Sequence, residues 1–456
     1  MPTSTPLAVA SAGELAAAIR AGELSSRELL AYYLDRIARL DGEINSVVTL
    51  DPGAADDAAA ADAEWARGEP RGPLHGVPVT IKDALETAGL RSTGGASELA
   101  DHVPSVDAPA VARLRAAGAI VFGKTNLPRW SGDMQTYNDL FGLTRNPWAP
   151  DDSPGGSSGG AAAAVACGFT AFELGTDIGG SIRIPSHLCG TFGLRPTYGL
   201  VPTSGYLAGT ARGQAELDVN VLGPIARSAA DLDLLLDVLA GPAAGDAVAW
   251  RLDLPPAPER PLRVGLWLDD PYCRVDAGYL AILRRLADRL DDAGVEVVDT
   301  RPDLDFAGCF ETYWTLLAAA GGLDHPDAPL THSAWLAAHE ARHAQRAAWA
   351  RWFDGVDALL APVLAVARYP HDLDGDYLTR TVVVNGAPRS HADIARWTGL
   401  VGALGLPVAV GPAGALDDGR PVGVQVVAAR WRDRTAIRLA GLVAEVSGGF
   451  RAPFAG

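Results

Sequence analysis

The sequence predicts an α/β fold, and three observations carry that prediction. Residues Arg263–Leu268, about Ala277–Ala293 and Val295–Val298 alternate strand, helix and strand, which is the pattern of a βαβ unit. A helix over Ala108–Ala117 followed by a strand over Ala119–Phe122 supplies a second αβ unit. The 456 residues are 48% apolar and 20% charged, enough apolar material for a large core and too much for a disordered chain. That length admits two or three ordinary domains or one continuous sheet.

Taken in order, the chain opens with helices. Ser11 with Glu14, and Ser25 with Glu28, have capping-box spacing, in which each side chain satisfies the other residue's free N–H at a helix start. Leu29, Leu30, Tyr33, Ile37 and Leu40 recur at three- and four-residue steps and form one apolar face, with Asp41-Gly42 as its stop. Ala54–Ala66 reads as a third helix and 68–73 as a linker. Val77–Ile81 is a short β-branched run ending on Lys82, so Lys82 is expected at a strand tip, a rigid mounting point. Gly123–Asn126 reads as a loop, and the polar stretch from there to 153 has few helix or strand signals.

Beyond residue 196, Ser228 and Asp231 start a helix whose leucines 232, 235, 236 and 239 face one way. Residues 254–261 are a Pro-rich linker ahead of the βαβ unit. Helices over about Phe306–Ala320 and Thr331–Phe353 precede an apolar strand over Ala358–Ala361. A helix near His391–Ala403, strands over Leu406–Val410 and Val422–Val427, and a helix over Arg432–Val446 close the chain.

The charge balance excludes some partners. At −17, the chain repels nucleic acid and anionic membrane surfaces over most approaches. Cys167, Cys189, Cys273 and Cys309 lack the spacing of a zinc site or a disulfide framework, and read as reduced thiols. Met1–Ala10 lacks the charged start of a secretion signal, and no apolar run reaches membrane-spanning length, so a cytoplasmic location is expected.

The densest signal is the stretch Ser153–Pro196. Ser-Pro-Gly-Gly-Ser-Ser-Gly-Gly (153–160) leads through an apolar run (161–172) to Gly-Thr-Asp-Ile-Gly-Gly-Ser-Ile-Arg-Ile-Pro (175–185). Each loop crowds glycines around a serine, as a backbone must when its N–H groups turn toward an anion or a reacting carbonyl. With Lys82 upstream and no acid–histidine partner in evidence, the pattern suggests a serine nucleophile whose base is a lysine.

These residues resemble the amidase signature family. The likeness runs through 72–78, Lys82, Gly123–Asn126, Asn146-Pro147-Trp148, 153–160, 175–196, 223–227, 405–407 and 421–425, with Arg129 standing where an acidic or amide residue is common. The chain also has a likeness to the family's urethanase branch. Residue by residue, the resemblance implies Lys82 as base, Ser157 as a bridging serine with a cis peptide bond, and Ser181 as nucleophile. The N–H groups of Ile178, Gly179, Gly180 and Ser181 would form the oxyanion hole, with Ser158, Asp177 and Arg183 in support. It further implies a mixed central β-sheet covered by helices on both faces. Residues 1–456 would be one catalytic domain, with a helical arm over 1–66 and a more variable helical and βαβ excursion over 245–355. The expected activity is cofactor-free hydrolysis of small amides, and of esters and carbamates, through an acyl-enzyme, by a monomer or homodimer. Trp130, Ser131 and Tyr137 are candidate pocket residues for an apolar or aryl acyl group, with ordinary packing as the alternative.

Other readings compete. A member of a transamidating complex, an amidotransferase, would share the triad but need an ammonia channel and protein partners. Gly155–Gly159 satisfies the G-x-S-x-G elbow, yet that elbow must follow a strand and 148–154 is polar and turn-rich. His339-Glu340-Ala341-Arg342-His343 is a literal H-E-x-x-H zinc pair, but Arg346 stands where a metzincin wants glycine, and a solvated helix face is the plainer reading. Asp372, Asp374 and Asp376 alternate like a calcium loop, but Gly375 falls at the fourth position instead of the sixth and Val383 replaces the closing glutamate.

Overall fold

Among the described residues of the computed structural model fifteen strands form, and eleven of them join in a single sheet. In chain order they are β1 (Val47–Leu50), β2 (Pro78–Lys82), β3 (Ile120–Thr125), β4 (Tyr137–Asn138), β5 (Gly142–Leu143), β6 (Glu173–Asp177), β7 (Phe192–Arg195) and β8 (Val221–Ala226). There follow β9 (Arg263–Leu266), β10 (Glu296–Val298), β11 (Ala358–Ala361), β12 (Thr381–Val384), β13 (Ala387–Ser390), β14 (Val408–Ala415) and β15 (Pro421–Ala428). The structure describes residues 5–209, 213, 215–321, 330–375 and 377–454, so Met1–Ser4 of the N-terminal stretch and Asp376 of the calcium-like run lie outside the described residues.

The sheet order is β1-β3-β2-β6-β8-β7-β14-β15-β11-β9-β10. β3, β2 and β6 run parallel, as do β11, β9 and β10, while antiparallel pairs join the middle and carry β1 at the edge. The sheet is therefore mixed. Helices cover both faces, as the two central strands show. A Cβ on Gly411 of β14 would stand 3.1 Å from the Ala440 carbonyl of the helix Asp433–Ser447. Gly411 is paired with Val424, so Gly423, one step along β15, points to the other face, where His187 of the helix Arg183–Cys189 lies 3.0 Å from its Cβ position.

The elements with strong local signals form where the pattern puts them. Both capping boxes are present, at Ser11/Glu14 and Ser25/Glu28, and Leu29, Leu30, Tyr33 and Ile37 are buried. The second helix runs past Asp41-Gly42 to Ile44 and ends on Asn45 in the left-handed region. Buried arginines tie the N-terminal segment to the rest of the chain, Arg36 donating to the Cys167 carbonyl at 2.7 Å and Arg227 to the Ala10 carbonyl at 2.7 and 2.9 Å. The helix Ala277–Asp292 connects the parallel strands β9 and β10, completing the βαβ unit. No described helix is long and apolar enough to cross a membrane.

Several differences fall where strands lack strand-like sequences, while β1 (Val-Val-Thr-Leu) and β12 (Thr-Val-Val-Val) have such sequences and are not among the expected strands. Gly123–Thr125 is strand rather than loop, held between β1 and β2. Likewise Gly175–Asp177, expected as the start of a loop, completes β6, a Glu-Leu-Gly-Thr-Asp segment of poor intrinsic preference that β2 and β8 pin from either side. The C-terminal helix expected from His391 begins only at Arg396, after β13 and a short 3₁₀ turn.

Candidate functional site

Lys82 ends β2, whose five residues are all buried, as befits a strand with parallel partners on both sides. The side chain has no exposed surface, and its Nζ lies 2.6 Å from both Ser157 Oγ and Thr176 Oγ1. Both partners are neutral hydroxyls. Burial drives the amine's pKa down to about 7, against the upward pull of the Asp177 and Glu173 charges. Position 82 thus holds an amine that is uncharged in a large fraction of molecules near neutral pH.

Ser157 sits in the first glycine-rich turn, and the Gly156–Ser157 peptide bond is cis. Only glycine fits at 156, because a Cβ there would stand 2.6 Å from the Asp133 carbonyl oxygen. The turn leads into the wholly buried helix Gly159–Ala166, whose small residues let it lie against the sheet. Ser158 accepts from the Thr176 N–H at 3.4 Å and donates to the Thr176 carbonyl at 3.3 Å, and its own N–H donates to the Ser181 carbonyl at 3.2 Å. Those bonds lay the Ser157 turn beside the Ser181 turn. Of the three residues, Ser181 alone reaches solvent, at 8% exposure, while Lys82 and Ser157 are fully enclosed.

Asp177 organises the second turn. Its carboxylate accepts from the N–H groups of Gly180 (2.9 Å), Ile182 (3.2 Å) and Arg183 (3.3 Å), and pairs with the Arg183 guanidinium at 2.9 Å, with Arg195 Nε at 3.5 Å. All three side chains are fully buried. Burial alone would raise the Asp177 pKa, but the charge and hydrogen bonds of Arg183, helped by Arg195, hold it at about 2. Arg183 in turn donates to the Thr398 carbonyl at 2.9 Å and to Gln425 Oε1 at 3.3 Å.

Of the four amides nominated for an oxyanion, the Gly180 N–H is therefore turned onto Asp177 instead. Among the described residues, no hydrogen bond takes up the N–H of Ile178, Gly179 or Ser181.

The candidate pocket residues separate into two places. Trp130 and Ser131 lie together in the left-handed region (φ 52° and 57°), with Tyr206 next to both Ser131 and Thr176. Tyr137 is instead tied into an ion-pair cluster. Its hydroxyl donates to Asp133 at 3.2 Å and accepts from Arg380 at 2.7 Å, while Arg380 pairs with Asp133 at 2.6 Å. Sequence reasoning missed Thr176, Arg195, Glu173 and Gln425. Thr176 and Glu173 carry a signal in hindsight, since they share β6 with Asp177; Arg195 and Gln425 reach the site only through the sheet order.

His339 and His343 lie on the outer part of the helix His332–Phe353, their Nε2 atoms 3.2 Å apart, with Arg342 donating to His339 Nδ1 and pairing with Asp218. No group of three or more described His, Cys, Asp or Glu side chains is placed to hold a metal ion.

A mixed α/β sheet that seats a buried lysine against a cis-bonded serine turn, beside a second serine turn braced by a buried Asp–Arg pair, defines the class of protein. The chain belongs to the amidase signature family, hydrolases of carbon–nitrogen bonds: the amidase family pattern matches it over residues 28–328 and 322–437. It is 34% identical over 464 residues to an indoleacetamide hydrolase of Bradyrhizobium diazoefficiens, covering 96% of this chain and 86% of that one. It is 42% identical over 262 residues to a component of the glutamyl-tRNA(Gln) amidotransferase of Thermus thermophilus, there covering 56% of this chain and 52% of that one. Its structure superposes on a bacterial aryl acylamidase of the amidase signature family with a TM-score of 0.84, at 28% identity and 97% coverage of both chains.

Proposed function

We propose that this protein hydrolyses small amides through an acyl-enzyme on Ser181, with Ser157 and Lys82 as the proton relay. The observation that carries this reading is the buried, near-neutral Lys82 amine 2.6 Å from Ser157 Oγ. A lysine at its ordinary pKa of about 10.4 could not accept a proton at neutral pH. The uncharged amine donates to Thr176 and accepts from Ser157. Ser157 then takes the proton of the Ser181 hydroxyl as Ser181 Oγ bonds to the substrate carbonyl carbon. The carbonyl oxygen becomes an oxyanion facing the free amides of the second turn, principally those of Ile178, Gly179 and Ser181. Removing one such donor typically lowers the rate about 10²–10³-fold. Proton return from Lys82 through Ser157 releases the amine, and water resolves the acyl-serine by the same path reversed.

The same chemistry serves esters and carbamates, since each forms the same tetrahedral oxyanion. The similarity to an indoleacetamide hydrolase and an aryl acylamidase, with Trp130 near the site, favours aryl acyl or aryl amine substrates. Incubation with a panel of aryl amides, esters and carbamates followed by mass spectrometry tests this. An acyl or carbamoyl adduct on Ser181 is expected, and an adduct on another residue, or activity without one on Ser181 under trapping conditions, overturns the reading.

The relay also sets a pH dependence. Lys82 must be uncharged to act, so kcat/KM should climb about tenfold per pH unit on the acid side and level off above an apparent pKa near 7. A profile that stays flat down to pH 5 removes Lys82 as the base.

A further inference from the structure

The helix Phe306–Gly321 belongs to the excursion between residues 245 and 355, and it brings Tyr313 against the second serine turn. The Tyr313 side chain is buried, and its hydroxyl donates to the Ile178 carbonyl at 3.3 Å. It lies so close over the turn that a Cβ on Gly179 would stand 3.2 Å from the phenol oxygen. Room for the ring comes from two glycines of the helix Arg396–Gly402. A Cβ on Gly399 would fall 2.7 Å from Tyr313 Cδ1, and one on Gly402 would fall 2.6 Å from Cε2. Both distances are shorter than packed carbon atoms tolerate. The ring is thus seated between helix and turn in space that side chains at 399 and 402 would take.

A peptide unit is planar and trans, so its C=O and N–H point in opposite directions. The Ile178 carbonyl and the Gly179 N–H belong to one such unit. Fixing the carbonyl on Tyr313 therefore aims the Gly179 N–H the other way. The next unit is held at both ends, its carbonyl, that of Gly179, accepting at 2.9 Å from the Thr398 hydroxyl, which also lies 2.7 Å from the Ala395 carbonyl. Its N–H, that of Gly180, is already bound to Asp177. Tyr313 is accordingly the group that decides the orientation of the remaining glycine amide.

We propose that Tyr313 is a positioning residue: its hydroxyl holds the Ile178–Gly179 peptide so that the Gly179 N–H faces the developing oxyanion. This rests on the oxyanion reading of the turn given above. It predicts that an element of the excursion, remote in sequence from both serine turns, sets transition-state stabilisation and leaves substrate affinity untouched.

Tyr313→Phe keeps the ring between Gly399 and Gly402 and removes only the hydroxyl. It should lower kcat about tenfold, less than the loss of a whole oxyanion donor, with KM changed by less than about twofold. Binding of an aryl aldehyde, to whose carbonyl the Ser181 O–H adds to give a hemiacetal, should weaken by the same factor as kcat. Binding of the corresponding carboxylate product should not change. Gly399→Ala, which pushes the ring off its seat, should shift kcat in the same direction. An unchanged kcat in Tyr313→Phe overturns the proposal, as does an equal loss in aldehyde and product binding, or a loss traceable to a lowered thermal midpoint. Ser181→Ala separates the two readings. Retained turnover in that variant sinks the acyl-enzyme reading itself, whereas an inert Ser181→Ala beside a fully active Tyr313→Phe sinks only this inference.

Discussion

Replacing Ser181 by alanine should lower kcat by about 10⁴–10⁶-fold while leaving the protein folded, because Ser181 is the proposed nucleophile and its loss removes nearly all that the catalytic group supplies as a unit. The structure explains why the fold should survive. What Ser181 gives the architecture is main chain: its carbonyl accepts from the Ser158 N–H, and its own N–H stays available to a ligand. Its side chain is the one of the three that reaches solvent, so little packing is lost with the oxygen. Lys82→Met should show a loss of similar order near pH 7 and should abolish the acid limb of the pH profile. Methionine fills the space of the buried stem, so the two variants separate chemistry from folding. Steady-state rates with the best substrate of the panel, beside denaturant midpoints, make the comparison. A Ser181→Ala protein with more than about a tenth of normal turnover would end the acyl-enzyme account.

The largest stability loss should come from Asp177→Ala, at about 3–5 kcal/mol, the usual cost of breaking a buried ion pair by removing one partner. Two fully buried guanidiniums, Arg183 and Arg195, would lose their counter-charge, and three backbone N–H groups would lose their acceptor. The N–H of Gly180 would be freed into the turn, so the surviving folded fraction should also turn over slowly. Asp177→Asn keeps an acceptor oxygen and should cost less. Urea unfolding checks both, and an Asp177→Ala midpoint equal to that of the parent protein would refute the role given to this pair. The same pair sets an acid limit. The Asp177 pKa is held at about 2 in the folded chain against an ordinary 3.8, so it adds stability above pH 4. That contribution is lost as pH falls from about 4 through about 2.

How much was legible in the sequence follows from where the information lies. Capping boxes, the heptad-like apolar face of Leu29 to Leu40 and the βαβ unit are local patterns, and the structure returns them within a few residues. The strands β6, β7 and β8 were not legible. Glu173–Asp177 and Phe192–Arg195 contain glycine and charged residues that would not form strands alone, and they do so because the neighbouring strands supply their ladder bonds. The limits of the expected Gly123–Asn126 loop failed for the same reason, since Gly123–Thr125 is strand.

The sequence by itself determined which chemical groups the protein has to work with: a lysine at the end of a β-branched run, and two serines in glycine-rich turns separated by one buried element. Glycine is a local requirement, so close-approach turns can be recognised from the letters. Tertiary structure alone decided what those groups are worth. It stripped water from Lys82 and, among the described residues, set only neutral hydroxyls within hydrogen-bonding reach, which lowers its proton affinity. It turned the Gly180 amide onto Asp177, and it brought Tyr313 from more than a hundred residues away onto the Ile178 carbonyl. Desolvation, electric field and peptide orientation depend on everything packed around a group, and a one-dimensional pattern carries none of that until the sheet has closed.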